Sequence, residues 1–368
     1  MGHAVGIVGL GVISRAYLET LALSPAIEVV AVADLDAERA RDVAASLPDA
    51  AARTVDELVA DPRVQTVLNL TTPAAHAGVA LAAIAAGKDV FGEKPLTATL
   101  VEAEAVMRAA AERGVRVGCA PDTVLGTGVQ TARDAVTRGL IGRPVAASAT
   151  WVAPGHEAWH PAPDFYYRAG GGPLLDMGPY YLTSLVHLLG PVRAVQGAAS
   201  RTRDTRRIAT GPRAGEVIDV EIATHVTGIL EHVDGALSTV VMSFDGAGTG
   251  AAPIEVHGES GSLALPDPNW FDGVVRHRAA ASDHGGDDWV DLPASAGYQE
   301  GSRGVGLIDF VGGAARASGD LALHVLEVMT TLLASAESGE RRAVSSRPAV
   351  PTLVPLTAAA QWRAAEAG

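Results

Sequence analysis

The chain has 368 residues, 48% of them hydrophobic, and a net charge of −14 from 28 basic and 42 acidic side chains. That length accommodates two domains with a substantial core, and the acidic balance argues against non-specific binding to nucleic acid or to an anionic membrane. A lone cysteine, Cys119, excludes an intrachain disulfide framework, and no basic leader or bilayer-length apolar run is read, so a cytoplasmic protein is expected.

In chain order, residues 5–10 form a short apolar run closed by Gly9-Leu10-Gly11-Val12-Ile13-Ser14, after which Tyr17, Leu18 and Leu21 repeat at helical spacing. Strand, glycine turn and helix in this order have the logic of a dinucleotide fold. Gly9 permits the tight turn, Gly11 lets the backbone approach a pyrophosphate, and the helix N-terminus offers N–H groups and a positive dipole end. Ser14 stands where a third glycine is usual; it is small enough for close packing and can hydrogen-bond a phosphate. Taken alone the pattern is weak, because glycine turns also close purely structural elements.

The next strand, residues 27–33, ends at Asp34, 23 positions past Gly11. An acid there suits the adenosine ribose hydroxyls, and its charge repels a 2′-phosphate, which favours NAD over NADP. Arg39 would accommodate a phosphate if Asp34 turned away. Thr54 with Glu57 reads as a capping box. Residues 64–70 form a third strand leading into Thr71-Thr72-Pro73-Ala74-Ala75-His76, and an alanine-rich helix follows. The strand after it delivers Gly92-Glu93-Lys94-Pro95. Pro95 fixes its own φ and biases Lys94 toward an extended backbone, so the lysine sits at a stiff corner where parallel sheets bind ligands. A helix over 100–113 and a strand over 115–119 complete an alternating pattern that predicts a doubly wound parallel sheet.

These residues carry a specific resemblance. The GxGxxS turn, the acidic strand end, Thr-Pro-x-x-His and Glu-Lys-Pro, in this order, look like the glucose–fructose oxidoreductase / inositol dehydrogenase (Gfo/Idh/MocA) family. The resemblance implies that Lys94 lies beside the nicotinamide and the substrate hydroxyl. It also implies that the stretch 71–76 lines the cofactor, with Pro73 and His76 near its nicotinamide half; the plain reading of His76 is a residue that merely caps a helix. The cofactor-binding set is then Gly9, Gly11, Val12, Ile13, Ser14, Asp34, Thr71, Thr72, Pro73, His76, Glu93 and Lys94.

The second half opens with a linking helix over 121–139 and a strand over 145–152. A dense group follows: Trp151, His156, Trp159, His160, Phe165, Tyr166, Tyr167, Tyr180 and Tyr181, largely in loop-like sequence. Aromatic side chains over a cleft suit the apolar face of a sugar ring while polar neighbours read its hydroxyls, so Trp159, His160, Tyr167 and Arg168 are substrate candidates. Phe165 and Tyr166 read as anchors of the loop.

Next comes Gly170-Gly171-Gly172-Pro173-Leu174-Leu175-Asp176-Met177-Gly178-Pro179-Tyr180, then a helix face of Leu182, Leu185, Val186 and Leu189. Asp176 and Tyr180 are four apart and share a helix face. The family's second signature is a glycine-rich turn followed by Asp-x-x-x-His, and Tyr180 replaces that histidine. A free tyrosine titrates near 10 and is a poor base at neutral pH; a neighbouring ammonium from Lys94 would favour its phenolate. Lys94, Asp176 and Tyr180 form the catalytic set, with Lys94 itself or His160 as alternative proton carriers. His187 reads as a core residue.

Beyond residue 197 alternating strands with an Asp234-Gly235 turn, and a second hairpin over 254–265, predict an open antiparallel sheet. Its uncovered face predicts a homodimer or homotetramer. Residues 272–300 read as a long loop, and 307–315 and 321–334 as helices. The expected domains are 1–121 (dinucleotide binding), 122–345 (α+β, substrate and oligomerisation) and a tail, 346–368, packing back on the body. No internal repeat, metal-ligand spacing or nucleophile elbow is present in the sequence. The reading is an NAD-dependent oxidoreductase acting on a secondary alcohol of a sugar, sugar derivative or cyclitol. Alternatives are a non-catalytic cofactor sensor on the same fold, an enzyme whose nicotinamide is oxidised and re-reduced within one cycle, and a reductase for another substrate class.

Overall fold

The computed structural model describes residues 2–280 and 288–363. The chain divides into two compact units: Met1–Gln130 with Ser295–Leu323 and Pro351–Gly368, and Thr131–Ala294 with His324–Val350.

The first unit carries a parallel sheet of β1 (His3–Val8), β2 (Ile27–Ala33), β3 (Ala51–Arg53), β4 (Thr66–Asn69), β5 (Asp89–Gly92) and β6 (Val117–Cys119), in the order β3-β2-β1-β4-β5-β6. Helices α1 (Val12–Ala22), α2 (Ala37–Ala45), α3 (Val55–Ala60), α4 (Pro73–Ala85) and α5 (Leu100–Arg113) connect these strands. The strands read as apolar runs rather than alternating ones because both faces of such a sheet are covered; β4 is buried at all four positions. Side chains define the helix ends. Asp36 caps α2, Thr54 and Glu57 form the expected capping box on α3, and Gly114 ends α5 at a φ of 70°.

Strand order reverses between β1 and β4, so the turns after these two strands meet at the carboxyl edge of the sheet, where such folds take their ligands. Gly9, at a φ of 93°, touches this neighbour directly: a Cβ there would meet the Leu70 carbonyl and the Thr71 nitrogen at 2.7 Å.

The sequence reading places residues 295–323 in the second domain, but this segment completes the first unit. Its helix Val305–Val311 brings Phe310 to 5.7 Å from Phe91, ring centre to ring centre. Gly118 lies between them, where a Cβ would meet Phe91 at 2.6 Å and Phe310 at 2.8 Å. The backbone N–H groups of Gly304 and Gly306 donate to one oxygen of buried Asp122. The end of the chain joins the same unit: Val354 N–H donates to Gln130, and Trp362, buried, donates to the Gln299 carbonyl. Residues 364–368 of the expected tail lie outside the described residues. Helical periodicity shows that a segment has an apolar face but not which core receives it.

Helix α6 (Thr127–Thr137) leads into the second unit. Its sheet has nine strands: β7 (Pro144–Val152), β8 (Val192–Ser200), β11 (His225–His232), β12 (Leu237–Ser243), β13 (Ile254–Gly258), β14 (Gly261–Leu265), β15 (Val275–Ala279), β16 (Val290–Leu292) and β17 (Arg342–Ala343). A separate ribbon pairs β9 (Thr205–Arg207) with β10 (Val217–Asp219). The nine run in the order β16-β15-β14-β13-β7-β12-β11-β8-β17, with β7 and β12 the one parallel pair. Both expected hairpins form. The stretch 272–300, read as a loop, supplies β15 and β16, short edge strands whose polar sequence hides them; residues 281–287 lie outside the described residues. Helix α7 (Pro173–Leu189) packs on β7, β11 and β12. The long helix Gly319–Ser338 is tied to β8 by a bond from Gly197 N–H to Ser335. Among the described residues it is the one helix long and apolar enough to cross a membrane, and 56% of its most apolar window is buried inside the protein.

Candidate active site

The first unit gathers its expected residues along the carboxyl edge of the parallel sheet. Helix α1 starts at Gly11 with no side chain capping it and no acid in its first turn. A Cβ on Gly11 would meet nothing within 4 Å, and Val12 beside it is fully exposed, as is Leu35 after β2. Open space over uncapped, dipole-positive N–H groups fits a dinucleotide pyrophosphate, and the two exposed apolar side chains offer surface for a planar base. Leu35 escaped the sequence reading; its position directly after Asp34 was the available signal. Ser14 is buried and its hydroxyl donates to the Gly11 carbonyl at 2.7 Å, so it braces the turn instead of facing the phosphate site.

Asp34 ties the second strand to the turn. Its carboxylate accepts from Leu10 N–H at 2.7 Å and from Asp36 N–H at 2.9 Å. Arg39 bridges Asp34 at 3.4 Å and Asp36 at 3.3 Å, so the negative charge at the end of β2 is partly balanced. Thr72 and Pro73 are exposed at the start of α4. Thr71 turns its hydroxyl to Asn69 Oδ1 at 2.6 Å, while Asn69 donates to the His76 carbonyl.

His76 is a correction to the expected cofactor contacts. It is buried, with Nδ1 2.7 Å from the Pro95 carbonyl and Nε2 3.0 Å from the Thr71 carbonyl. Its ring is a strut between the two loops. Glu93 is likewise structural: Tyr17 Oη donates to one oxygen at 2.8 Å and Lys94 N–H to the other at 3.0 Å. Lys94 therefore sits at a braced corner, and the Lys94–Pro95 bond is cis where the sequence reading had only an extended bias.

The second unit holds Asp176 and Tyr180 one turn apart near the start of α7, which opens with Gly172 at a φ of 99° and Pro173 at its first position. Tyr180 is largely buried. Asp176 meets a residue of the aromatic group that was given no catalytic role from the sequence: His156 Nε2 lies 2.7 Å from Asp176 Oδ2. No local motif joins positions 20 apart, so only the fold reveals this pair. Trp159 (58% exposed), His160 and Arg168 lie at or near the surface of the loop after β7.

Tyr167 is also corrected. It is fully buried against Ile208, Ile218, Val220 and Phe244, and its hydroxyl donates to Glu157. Tyr167 anchors the loop and is closed to substrate, whereas Phe165, read as an anchor, is exposed. Aromatic identity alone does not distinguish the two, because residues two apart on the short helical turn Asp164–Tyr167 face different sides. Beneath the loop, Arg206 pairs with Glu157 at 2.7 Å and with Asp245. His187 is buried beside Arg133, and burial with that neighbouring charge pushes its pKa down to about 3, which suits a core residue. A cavity of about 450 Å³ beside Gly170, Gly171, Gly172, Arg201, Glu221 and Glu337 is lined by none of Asp176, Tyr180 or His156. No group of three or more metal-ligating side chains occurs among the described residues.

Comparison with known proteins identifies the family of both units. Residues 3–120 match the model of an oxidoreductase family with an NAD-binding Rossmann fold, and residues 129–264 match the GFO/IDH/MocA C-terminal domain. The chain is 32% identical over 265 residues to 1,5-anhydro-D-fructose reductase of Ensifer adhaerens, covering 70% of this chain and 74% of that protein. It is 29% identical over 268 residues to inositol 2-dehydrogenase 3 of Saccharopolyspora erythraea, covering 72% and 73%. Among solved structures, levoglucosan dehydrogenase in complex with NADH superposes with a TM-score of 0.78 at 19% identity, covering 94% of this chain and all of that one, a likeness of fold.

Proposed function

From the premise that the chain belongs to the Gfo/Idh/MocA family of NAD-binding oxidoreductases, we propose that it interconverts a secondary alcohol and a ketone on a sugar, sugar derivative or cyclitol. The observation that carries this reading is the braced lysine corner. Lys94 follows β5 at the carboxyl edge of the parallel sheet, beside the open dinucleotide turn, with its backbone held by buried Glu93 and Tyr17. A strut from His76 fixes Pro95 behind it.

When bound, the nicotinamide supplies the hydride acceptor or donor. The chain's own residues do the rest. Lys94 would hold the substrate oxygen and stabilise the negative charge that grows on it. Tyr180 would carry the proton, and Asp176 would orient the hydroxyl. The fixed backbone at Lys94 and the helical spacing of Asp176 and Tyr180 give these groups little freedom, which lowers the entropy cost of a productive arrangement. Trp159, His160 and Arg168 would face the substrate ring. The relatives named for sugar and cyclitol chemistry support that substrate class.

The outward face of the nine-stranded sheet exposes Ile229 and Leu237, so we take the working form to be a homodimer or homotetramer joined through it. A cytoplasmic setting accords with a single cysteine buried as a free thiol.

The test is absorbance at the NADH band while sugars, sugar acids and cyclitols are added with NAD or NADP. A response to one substrate group, lost in Lys94→Met while NADH still binds, is the expected outcome. Normal turnover in Lys94→Met would overturn the assignment.

A further inference from the structure

Four histidines of the second unit are buried among the described residues; His187 lies beside Arg133, and two others satisfy both ring nitrogens. His232 bonds the Gly190 carbonyl and Ser238 Oγ, each at 2.7 Å. His324 accepts from Val192 N–H at 3.0 Å and bonds Ser346 Oγ at 2.7 Å. These are core residues, and buried polar atoms are normally paired in this way. His156 differs. It is 6% exposed, its Nε2 meets Asp176 Oδ2, and its Nδ1 is buried with no hydrogen-bond partner among the described residues.

The position of this ring is fixed from every side. Its own backbone N–H donates to Tyr167 Oη at 3.1 Å. Tyr167 in turn donates to Glu157, which Arg206 holds. The rings of Tyr166, Phe244 and Trp159 stand 4.2, 4.7 and 5.0 Å away, centre to centre. The one hydrogen bond its ring makes among the described residues is to a carboxylate in the first turn of α7, on the side chain assigned to substrate.

We propose that His156 is a positioning residue: it donates from Nε2 to Asp176 Oδ2 and holds that carboxylate in one orientation. The idea rests on the role given to Asp176 in the proposed reaction. A carboxylate has two rotatable bonds, and one donor from a rigid pocket removes much of that freedom. The carboxylate is then held in a constant orientation, as a well-supported site requires.

Two measurements on the NAD-loaded full chain test it. The first does not need turnover. In protein labelled with nitrogen-15 histidine, the hydrogen-bonded Nε2 proton of His156 should give a downfield resonance that vanishes in His156→Gln, moves in Asp176→Asn and persists in Lys94→Met. Absence of the resonance, or its indifference to Asp176→Asn, overturns the proposal. The second is kinetic. His156→Leu should lower kcat by about 10–100-fold with NADH affinity unchanged, the scale expected for a misplaced reacting group. His156→Gln, whose amide nitrogen takes the place of Nε2, should recover most of that loss. In an Asp176→Ala background His156→Leu should have no further effect, and independent losses in the double variant overturn the proposal. If no substrate responds in any variant, the reading of the reaction fails, while the resonance still decides whether His156 holds Asp176.

Discussion

Gly9 and Gly11 lie two positions apart and answer to different constraints. Gly9 has a φ of 93° and no room for a Cβ, whereas Gly11 has an ordinary φ of −73° and empty space beside it. Gly9→Ala should therefore destabilise the protein itself, lowering its melting temperature with or without cofactor. Gly11→Ala should melt like the parent yet weaken NADH binding by at least roughly tenfold, because the methyl group enters the space assigned to the pyrophosphate. Equal effects of the two on cofactor-free stability would contradict this division. Asp122 offers a second test. Burial pushes its carboxyl up to about 6, despite two backbone donors to one oxygen and the charge of Arg303. A group raised above its ordinary value of about 3.9 favours the folded state below that value, and the benefit is lost as pH rises through about 6. Asp122→Asn should remove this contribution, so its stability advantage over the parent should grow between pH 4 and 7 in denaturant titrations.

At the scale of elements, the parallel sheet, its glycine turn, the lysine corner and the Asp176–Tyr180 helix were legible in the sequence, because each is written locally in periodicity, turn residues and short spacing. What stayed hidden is pairwise and distant. Residues 305–311 have a helical pattern that fits either unit, His156 and Asp176 lie on different elements, and Glu93 looks like a cofactor contact until Tyr17 is seen against it. The loop after β7 shows the same limit, since its aromatic content was plain but the ionic clamp beneath it was not. Arg206, almost wholly enclosed, holds Glu157 and Asp245 together. Replacing it with methionine leaves buried Glu157 and partly buried Asp245 without a counter-charge and should cost about 3–5 kcal/mol in unfolding experiments. Arg39, by contrast, is half-exposed and balances Asp34 and Asp36. Arg39→Ala should raise the preference for NAD over NADP by roughly tenfold, measured as the ratio of kcat/KM values; an unchanged ratio would remove Arg39 from coenzyme choice.

For the whole molecule, acid sensitivity follows from the histidines buried in the second unit. Burial pushes His187 down to about 3 and His324 to about 4, and lowers His232. Groups depressed in this way stabilise the fold above the ordinary histidine value of about 6.5, and that stability is lost as pH falls toward their folded values. Unfolding below pH 6 should therefore take up protons, visible as stability that rises with pH between 4 and 6.5 even after Asp122→Asn. The interleaving of the two units has a consequence for the protein as it is made. The dinucleotide turn, the lysine corner and Asp122 all leave the ribosome early, but Gly304, Gly306 and Phe310, which finish the core beneath them, are synthesised only after the second unit's nine-stranded sheet is nearly complete. During translation the first unit must wait, with Phe91 uncovered and Asp122 lacking its backbone donors, while the intervening sequence is added. Residues 1–130 expressed alone should remain in that waiting state and melt without a cooperative transition. The nascent chain thus carries the exposed half of a core through most of its own synthesis, the interval in which a holding chaperone would have something to grip.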